Sequence, residues 1–588
     1  MKKSARNPWS WVPSLYFAEA LPYIVVNGLT AGLYKTMGIS NAEFAFFTSW
    51  LYLPWIIKPL WSPVVEALKT KRWWIITMQL LLGAGFAGIA FSLHAPSFFQ
   101  WTMAVFWLIS FSSATHDIAA DGFYMLGLSK HQQSYYVGIR STFYRIGMLI
   151  GQGGLLILAG WLQSTTGPPP TNIQVISEPG LSNSIIFKPK TPEIANFDTS
   201  RMLLQPSSKL LKIGQEGISF DSAQIVFNRV KQWNIDHGFY TEAQALNLKP
   251  EKTGGHSPGF AILSYHLSQT PKSGEEVVFN FGFQQGDKSF ALKEGSRFVF
   301  TSENWEFPAY IIIQADSRLN KASSATFKGT AGNTQFSWSV TFLILAAIFL
   351  ALAFFHRSIF PHPKEDSAIG SAQSGIKEFW PIMKSFFMKK QIGIALAFIL
   401  LFRLGEAQLV KISQLFLLDK IEHGGLALTL GDVGLLYGTI GMLFLTLGGI
   451  LGGIWAAKTG LKNAFWPMAF AMNVPNLAYV FLAYAQPDSY VLISSAVAIE
   501  QFGYGFGFTA FMLYMIYISE GQYKTAHYAL CTGFMALGMM LPGMISGWLQ
   551  ELIGYQHFFI WVMICTLPGF ALLFWIKVDP AFGRKKKS

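Results

Sequence analysis

Long apolar stretches recur at nearly regular intervals along most of the chain, separated by short polar loops. A helix that crosses a bilayer needs about 20 mostly apolar residues. Twelve stretches reach that length, at residues 11–35, 43–67, 73–94, 98–128, 132–163, 336–358, 389–418, 429–457, 463–485, 488–519, 525–551 and 556–577. The pattern therefore predicts an all-α polytopic protein with twelve transmembrane helices, five before and seven after a long polar segment.

Basic residues are concentrated in every second loop. They are Lys2, Lys3, Arg6, Lys69, Lys71, Arg72, Lys130, Arg357, Lys364, Lys458, Lys462, Lys524 and the tail 584–587. Loops rich in Lys and Arg stay on the cytoplasmic side of a membrane. We therefore expect both termini to be cytoplasmic. We also expect no cleaved signal peptide, because no small-residue cleavage site follows the first basic residues.

The polar segment 164–335 interrupts this pattern with many Pro, Ser, Asn, Gln and charged residues. Apolar residues at helical spacing between Asp221, a candidate N-cap, and Gly238 predict one helix. Alternating apolar residues predict strands at 276–283, 289–300 and 308–316. We expect a folded extracytoplasmic insert of α+β or β-rich type. Its role as a family-specific addition, a lid or a partner-binding module stays open.

The resulting organisation has five parts. Residues 1–163 form helices one to five, 164–335 the insert, 336–358 helix six, 359–388 a cytoplasmic connection, and 389–588 the carboxy-terminal six helices with a basic tail.

Composition supports a membrane protein. Hydrophobic residues make up 51% of the chain and charged residues 13%, whereas an ordinary soluble protein carries about 25% charged residues. The net charge of +12 follows from the cytoplasmic loops, so we expect no nucleic-acid partner. Cys531 and Cys565 both lie in apolar stretches, which excludes a disulfide scaffold and a thiolate zinc site. We expect neither a metal nor a cofactor, since no phosphate loop or metal-binding motif occurs.

Three acidic residues lie inside predicted helices of the amino-terminal half: Glu19, Asp117 and Asp121. An ionisable residue in a membrane costs at least about 2.5–3.5 kcal/mol unless it faces a cavity or a partner. Asp117 and Asp121 are four residues apart and share one helix face. Two close carboxylates suit a group that binds and releases a proton. The alternative is a structural ion-pair network.

Basic residues at similar depth are Lys58, Arg140 and Arg145. The arginines could bind a carboxylate ligand or neutralise the nearby aspartates. His116 is either a proton relay or a hydrogen-bonded packing residue.

The carboxy-terminal half repeats this arrangement. Arg403 and Glu406 lie on one helix face, Lys411 follows, and Glu500 lies near the middle of another predicted helix. We expect Arg403, Glu406 and Glu500 to line or gate a cavity. An intrahelical Arg403–Glu406 pair that only lowers the insertion cost is the alternative.

Glycines are frequent in helices of both halves, at 147–154 and 448–453. Small residues allow helices to approach closely. Any one of these glycines is explained by tight helix packing. Their occurrence in both halves favours helices that move relative to one another.

Several motifs together resemble one known family. They are Ser14–Tyr23, Lys58–Pro63, Asp117–Asp121, Arg145–Leu149, Phe402–Ala407, Tyr528–Leu530 and a glycine–basic loop at 452–460. With two sets of six helices, they resemble the major facilitator transporters, and within them the AmpG muropeptide permeases. The resemblance covers both halves and leaves out the insert. Glu406 stands where the family commonly has Asp.

The resemblance implies a proton-coupled importer in the bacterial inner membrane that works by alternating access. Its implied substrate is an anhydro-muropeptide, a large anionic sugar-peptide, and its implied state is a monomer. Arg140, Arg145, Arg403 and the aromatic residues Tyr16 and Tyr23 would then line the substrate cavity. The branch also resembles acetyl-CoA transporters and siderophore importers, so another large anionic solute is an alternative substrate.

A membrane transferase and a sensor are two alternative classes of protein. A membrane transferase could use His116 and Asp117 as its base, but it needs a ligand-binding motif that the sequence lacks. A sensor could bind its ligand with the insert, but it needs a cytoplasmic signalling domain.

Overall fold

The computed structural model describes residues 7–180, 187, 189, 202–242, 255–272, 274–363, 366, 372–521, 523–579 and 582. The chain folds into two compact units. The larger, helical unit comprises Met1–Leu158, Trp338–Asp419 and Gly424–Ser588. The smaller unit comprises Ala159–Ser337 and Lys420–His423.

The chain before the insert is helical. Its helices are α1 (Val12–Ile24), α2 (Thr30–Thr36), α3 (Asn41–Ser49), α4 (Leu53–Leu68), α5 (Lys71–Ser92), α6 (Phe98–Gly127), α7 (Lys130–Leu149) and α8 (Leu155–Thr166). Wider π-type turns at Val25–Leu29 and Ile150–Gly154 join α1 to α2 and α7 to α8. Such turns relax the regular i→i−4 ladder and often lie at functional sites.

The described part of the insert contains one long helix and two principal sheets. Its elements are β1 (Thr171–Ser177), β2 (Leu204–Pro206), β3 (Leu210–Lys212), β4 (Ile218–Ser219), α9 (Phe220–Asp236), β5 (His256–Ser257), β6 (Phe260–Leu267), β7 (Val277–Gly286), β8 (Phe290–Glu294), β9 (Arg297–Phe300), β10 (Ala309–Ala315) and β11 (Ser323–Gly332). One sheet has the strand order β3-β1-β11-β7-β9 and the other β2-β6-β10-β8. The pair β1–β11 is antiparallel, with Val175 opposite Ala325.

Alternating side chains of the two sheets form the main core of the insert, with Val175, Tyr265, Phe279 and Ile311 fully buried or nearly so. A second core lies on the other side of the β6–β10 sheet, where Phe227 of α9 packs against Phe260. The insert is therefore layered as helix, sheet and sheet, which agrees with the predicted α+β type.

The strand and helix predictions in the insert are confirmed with two corrections. The helix begins at Phe220 with Ser219 as its N-cap residue, so Asp221 lies in the first turn. The stretch predicted as one strand at 289–300 forms two, β8 and β9, because the chain turns at Gly295 with a φ of 85°. Glycine adopts this left-handed conformation without steric cost.

The chain after the insert is again helical. Its helices are α10 (Thr334–Ile359), α11 (Ala372–Phe387), α12 (Ile392–Leu401), α13 (Leu404–Leu418), α14 (Leu430–Val433), α15 (Met442–Thr459), α16 (Leu461–Asn473), α17 (Leu477–Ala485), α18 (Tyr490–Ser519), α19 (Lys524–Ile564) and α20 (Leu567–Leu573). A π-type segment, Gly434–Gly441, joins α14 to α15. The regular helix is interrupted between α12 and α13, and Arg403 lies at this break.

Eight helical segments of the described chain are long and apolar enough to cross a membrane. They cover nine of the predicted transmembrane helices, because the last two lie in one segment, Ala526–Leu573, with a non-helical residue at Gly554. The predicted helices at 11–35, 43–67 and 98–128 are helical but are not among the eight. The protein is a multi-pass membrane protein, and the number twelve stays a prediction.

Helices before and after the insert approach closely where two π-type segments meet. A Cβ added to Gly438 would lie 2.5 Å from the Cα of Gly153, and one added to Gly153 would lie 2.9 Å from the carbonyl oxygen of Gly438. Only glycine at both positions permits this backbone contact, since packed interiors leave no space for an extra methyl group.

The connection between the halves reaches the start of α5. Asp366 accepts hydrogen bonds from the backbone N–H groups of Lys71 at 2.7 Å and Arg72 at 3.2 Å. An acidic side chain is favourable there because the first N–H groups of a helix have no partner within the helix and carry partial positive charge.

Candidate functional site

Five of the six acidic and basic residues predicted inside helices of the amino-terminal half come together between α1, α4, α6 and α7; Arg145 does not. Lys58 of α4 forms an ion pair with Asp117 of α6. Arg140 of α7 forms a second ion pair with Asp121, at 2.9 Å. The one-turn spacing of the two aspartates on α6 thus gives each carboxylate its own basic partner. We call these four residues and Glu19 the amino-half cluster.

Glu19 of α1 is the fifth member of this cluster. Its residue is 7% exposed, and its Oε2 atom is buried without a hydrogen-bond partner. Its carboxyl group lies within hydrogen-bonding reach of Asp117. Two carboxyl groups can form such a bond only when one of them carries a proton.

Aromatic side chains hold the second ion pair in place. The hydroxyl of Tyr16 donates to Asp121 at 3.2 Å, and the guanidinium of Arg140 lies 4.5 Å from the centre of the Tyr16 ring. The ring of Tyr124 lies 5.5 Å from the same guanidinium. The side chain of Asp121 is 41% exposed and that of Arg140 34%, so this end of the cluster is open, whereas Glu19 is enclosed.

His116 joins a buried chain of polar side chains. Its Nε2 lies 3.0 Å from the amide nitrogen of Gln79. The amide oxygen of Gln79 lies 2.9 Å from Nδ1 of His356, whose Nε2 lies 2.9 Å from the hydroxyl of Ser14. The arrangement agrees with the interpretation of His116 as a hydrogen-bonded packing residue, and it does not pair His116 with Asp117 as a catalytic base.

In the carboxy-terminal half, Arg403 lies at the break between α12 and α13. It donates a 2.6 Å hydrogen bond to the hydroxyl of Tyr504, and its guanidinium lies 5.0 Å from the centre of the Phe508 ring. These two described side chains, Arg403 and Glu406, form no salt bridge with each other within 4.0 Å. The expected alternative of an intrahelical ion pair is therefore wrong for this conformation.

Glu406 and Glu500 are the two buried acids of this half. Both oxygens of Glu406 are buried and have no hydrogen-bond partner in the described chain. Glu500 accepts one bond, from Gln501 at 2.9 Å, and its other oxygen has no partner there. The two carboxyl groups are close enough to repel each other. Buried, unpaired acids are costly, so they are typical of sites that bind a cation or proton.

Tyr23 and Arg145 lie outside the ion pairs of the amino-half cluster. Tyr23 of α1 packs edge-on against Trp55 of α4, with ring centres 5.3 Å apart. Arg145 does not join Asp117 or Asp121. A Cβ added to Gly449 of α15 would lie 3.7 Å from its guanidinium, which places this side chain against the other half.

A buried polar network that the sequence did not single out also joins the halves. Lys35 at the end of α2 pairs with Asp419, just after α13, at 2.7 Å. Asp419 also accepts a 2.9 Å hydrogen bond from Tyr555. Asn41 donates to Gln550 at 2.6 Å and to the Tyr555 hydroxyl at 3.0 Å. We call these five residues the cross-half network.

No informative sequence signal marks this network. Lys35 and Asp419 flank the ends of two predicted transmembrane helices, where charged residues are ordinary and therefore uninformative. Their pairing depends on two helix ends, 384 residues apart in the chain, that only the fold brings together.

In the described residues no group of three or more His, Cys, Asp or Glu side chains is arranged to hold a metal ion.

Comparison with known sequences gives a consistent result. Residues 22–167 match the BT1 family. A "Putative transporter AmpG 4" of Rickettsia felis is 26% identical over 242 residues, which are 41% of this chain and 57% of that protein. The "Anhydromuropeptide permease" of Escherichia coli K12 is 25% identical over 191 residues, 32% of this chain and 38% of that protein. The chain thus aligns with about half the length of the curated relatives, or less.

Solved structures of similar fold are transporters. A bacterial homologue of the human lysosomal transporter Spinster, in an inward-facing and unoccupied conformation, has a TM-score of 0.52 and 11% identity, covering 98% of this chain and 97% of that one. A D-xylose–proton symporter has a TM-score of 0.52 and 9% identity, covering 98% of both chains. Identities this low show the fold alone. The chain therefore shares the fold of these transporters, and the predicted resemblance to the major facilitator transporters, and among them to the AmpG-type permeases, is confirmed.

Proposed function

We propose that this protein is a proton-coupled secondary transporter that imports a large anionic solute, an anhydro-muropeptide, across a bacterial inner membrane. It works as a monomer by alternating access, with both termini in the cytoplasm. The observation that carries the proposal is the pair of ionisable clusters, one in each half, inside helices that would otherwise be apolar.

The charge balance of the amino-half cluster supports proton coupling. It contains three carboxyl groups, Glu19, Asp117 and Asp121, and two basic groups, Lys58 and Arg140. With all groups ionised it would carry one uncompensated negative charge, which is costly in a membrane. One proton, shared between Glu19 and Asp117, removes that charge. The cluster therefore suits a cycle in which one proton is bound and released.

The carboxy-half residues support binding of a large polar solute. The guanidinium of Arg403 lies 5.4 Å from the centre of the Tyr504 ring and 5.0 Å from that of the Phe508 ring. Guanidinium groups bind carboxylates through two parallel hydrogen bonds, and aromatic rings stack on sugars and peptide groups. Glu406 and Glu500 form no ion pairs of their own. Their carboxyl groups are therefore suited to gate the cavity beside Arg403 or to respond to a bound cation.

The contacts between the halves support alternating access. The cross-half network closes the end of the helices near Lys35 and Asp419, and the glycines at 153 and 438 let the backbones meet without side chains between them. Separating the halves at that end would break the hydrogen bonds of this network. Rigid-body separation of packed units about such an interface is one of the known forms of conformational change.

The relatives support the substrate class, since one is named an anhydromuropeptide permease. Another large anionic solute, such as an acyl-CoA or a siderophore complex, would fit the same clusters.

The test is uptake of a labelled anhydro-muropeptide into proteoliposomes that are acidic outside and negative inside, with and without a protonophore. Accumulation that the protonophore abolishes would establish both the substrate and the coupling. Accumulation that persists with the protonophore would contradict the coupling. No accumulation by folded protein would contradict the substrate.

A further inference from the structure

Lys411 is a buried lysine whose charge has no anionic partner. It lies on α13, two turns after Arg403, and 8% of the residue is exposed. Its ammonium nitrogen lies 4.9 Å from the centre of the Phe44 ring and 6.0 Å from that of Tyr52. Within the described chain no carboxylate lies within 4.0 Å of it.

The ammonium group faces a small cavity between the two halves. Asn27, Phe44 and Tyr52 line it from the amino-terminal half, and Lys411, Gln414 and Met539 from the carboxy-terminal half. Its volume of about 10 Å³ holds roughly one water molecule. The cavity is therefore narrow in this conformation and would widen when the halves separate.

Two further polar atoms at this cavity lack partners. The amide oxygens of Asn27 and Gln414 are buried, and neither accepts a hydrogen bond from another described residue. A buried polar group without a partner is destabilising, and more so when it is charged. A cation without an anionic partner and two acceptors without donors thus line one cavity.

Contact with the aromatic rings does not by itself compensate the buried charge of Lys411. A cation placed over an aromatic ring is stabilised less than a cation paired with a carboxylate in the same surroundings. Arg403 differs in this respect, because it already donates to Tyr504. A ligand that complements the site would present an anionic group to Lys411, with neighbouring N–H or O–H donors for Asn27 and Gln414.

We propose that Lys411, Asn27 and Gln414 form a subsite for the carboxylate end of the transported solute, an inference that rests on the proposed function. For an anhydro-muropeptide this end is the free carboxylate of the peptide, with its amide N–H groups beside it. The ligand touches residues of both halves. It enters when the halves part near Lys35 and Asp419, and its charge compensates the lysine as they close around it.

The test compares two anhydro-muropeptides that differ only in their peptide carboxylates, which are free in one and amidated in the other. Calorimetry measures their affinities for the full-length protein in lipid nanodiscs. The variants are Lys411→Gln, Lys411→Arg and, as a matched control, Lys458→Gln at the exposed end of α15. Gel filtration and thermal unfolding check that each variant is folded.

We expect the unmodified protein to prefer the free carboxylate by roughly thirtyfold or more, the effect of removing one partner of a buried charge pair. Lys411→Gln should abolish this preference without weakening binding of the amidated ligand. Lys411→Arg should keep part of it, and Lys458→Gln all of it. A preference that survives in Lys411→Gln, or is absent from the unmodified protein, overturns the subsite and leaves the transport proposal intact. Binding of neither ligand overturns both.

Discussion

Lys35 and Asp419 form a 2.7 Å ion pair that joins the end of α2 in one half of the helical unit to the end of α13 in the other. Their side chains are 19% and 9% exposed, so water screens the pair little. Asp419 also accepts from Tyr555. The pair is therefore part of a buried network that must break whenever the halves separate at this end.

A double-mutant cycle with Lys35→Met and Asp419→Asn should measure this coupling. Residues that contact each other in one network typically show coupling energies of about 0.5–3 kcal/mol. We expect a value in the upper part of that range in thermal unfolding of the purified protein. Strictly additive effects of the two substitutions would show that the pair does not stabilise the closed end.

Asp117→Asn should remove proton-driven accumulation but leave exchange of labelled for unlabelled solute. The substitution takes one of three carboxyl groups from the amino-half cluster, so the shared proton is no longer needed for charge balance. Uptake and counterflow in proteoliposomes measure the two activities separately. Glu303→Gln, at an exposed position of the insert, is the control for charge loss. Unchanged accumulation in Asp117→Asn would contradict the assignment of Asp117 to proton coupling.

Gly438→Ala should destabilise the contact between the halves. The new Cβ would lie 2.5 Å from the Cα of Gly153, a backbone atom that cannot move aside alone. Overpacking of this kind costs about 1–3 kcal/mol. Gly453→Ala is the matched control, because its Cβ meets nothing within 4 Å. A lower unfolding temperature for Gly438→Ala alone is expected, and equal temperatures would contradict the close approach.

Glu294 should make the insert less stable as the pH rises. Burial raises the pKa of its carboxyl group above the ordinary value of 4.5, although Tyr240 and Asn234 donate hydrogen bonds to it. A raised pKa in the folded state means that the protonated form is favoured there. Its stabilisation is complete below pH 4.5 and is lost as the pH rises through the folded-state pKa.

Hydrogen exchange of the β8 and β10 amides in the full-length protein measures this effect. After correction for intrinsic rates, protection should fall as the pH rises above 4.5, the ordinary pKa of a glutamate, and Glu294→Gln should flatten the profile. Asp287 acts in the opposite direction, because hydrogen bonds from Ser289 lower its pKa. Its contribution is lost only as the pH falls below the ordinary range of an aspartate, so the two effects separate. An identical profile in Glu294→Gln would contradict the assignment.

The sequence by itself determined the class of protein and most of its elements. Apolar stretches of membrane-spanning length, basic residues concentrated in alternate loops and a polar insert with period-two strands are local properties, which each segment carries alone. The ionisable residues inside helices could be recognised for the same reason, because Glu19, Asp117 and Glu500 each interrupt an apolar stretch. The motifs also sufficed for the resemblance to AmpG-type permeases.

Only the tertiary structure determined which side chains contact each other. Whether Arg403 pairs with Glu406 or with Tyr504, and whether Arg145 reaches the aspartates or α15, depends on helix rotation and on contacts between the halves. The pair Lys35–Asp419 and the unpartnered charge of Lys411 depend on them too. Helix periodicity indicates which residues share a face, but the neighbour of that face is chosen by packing over the whole molecule.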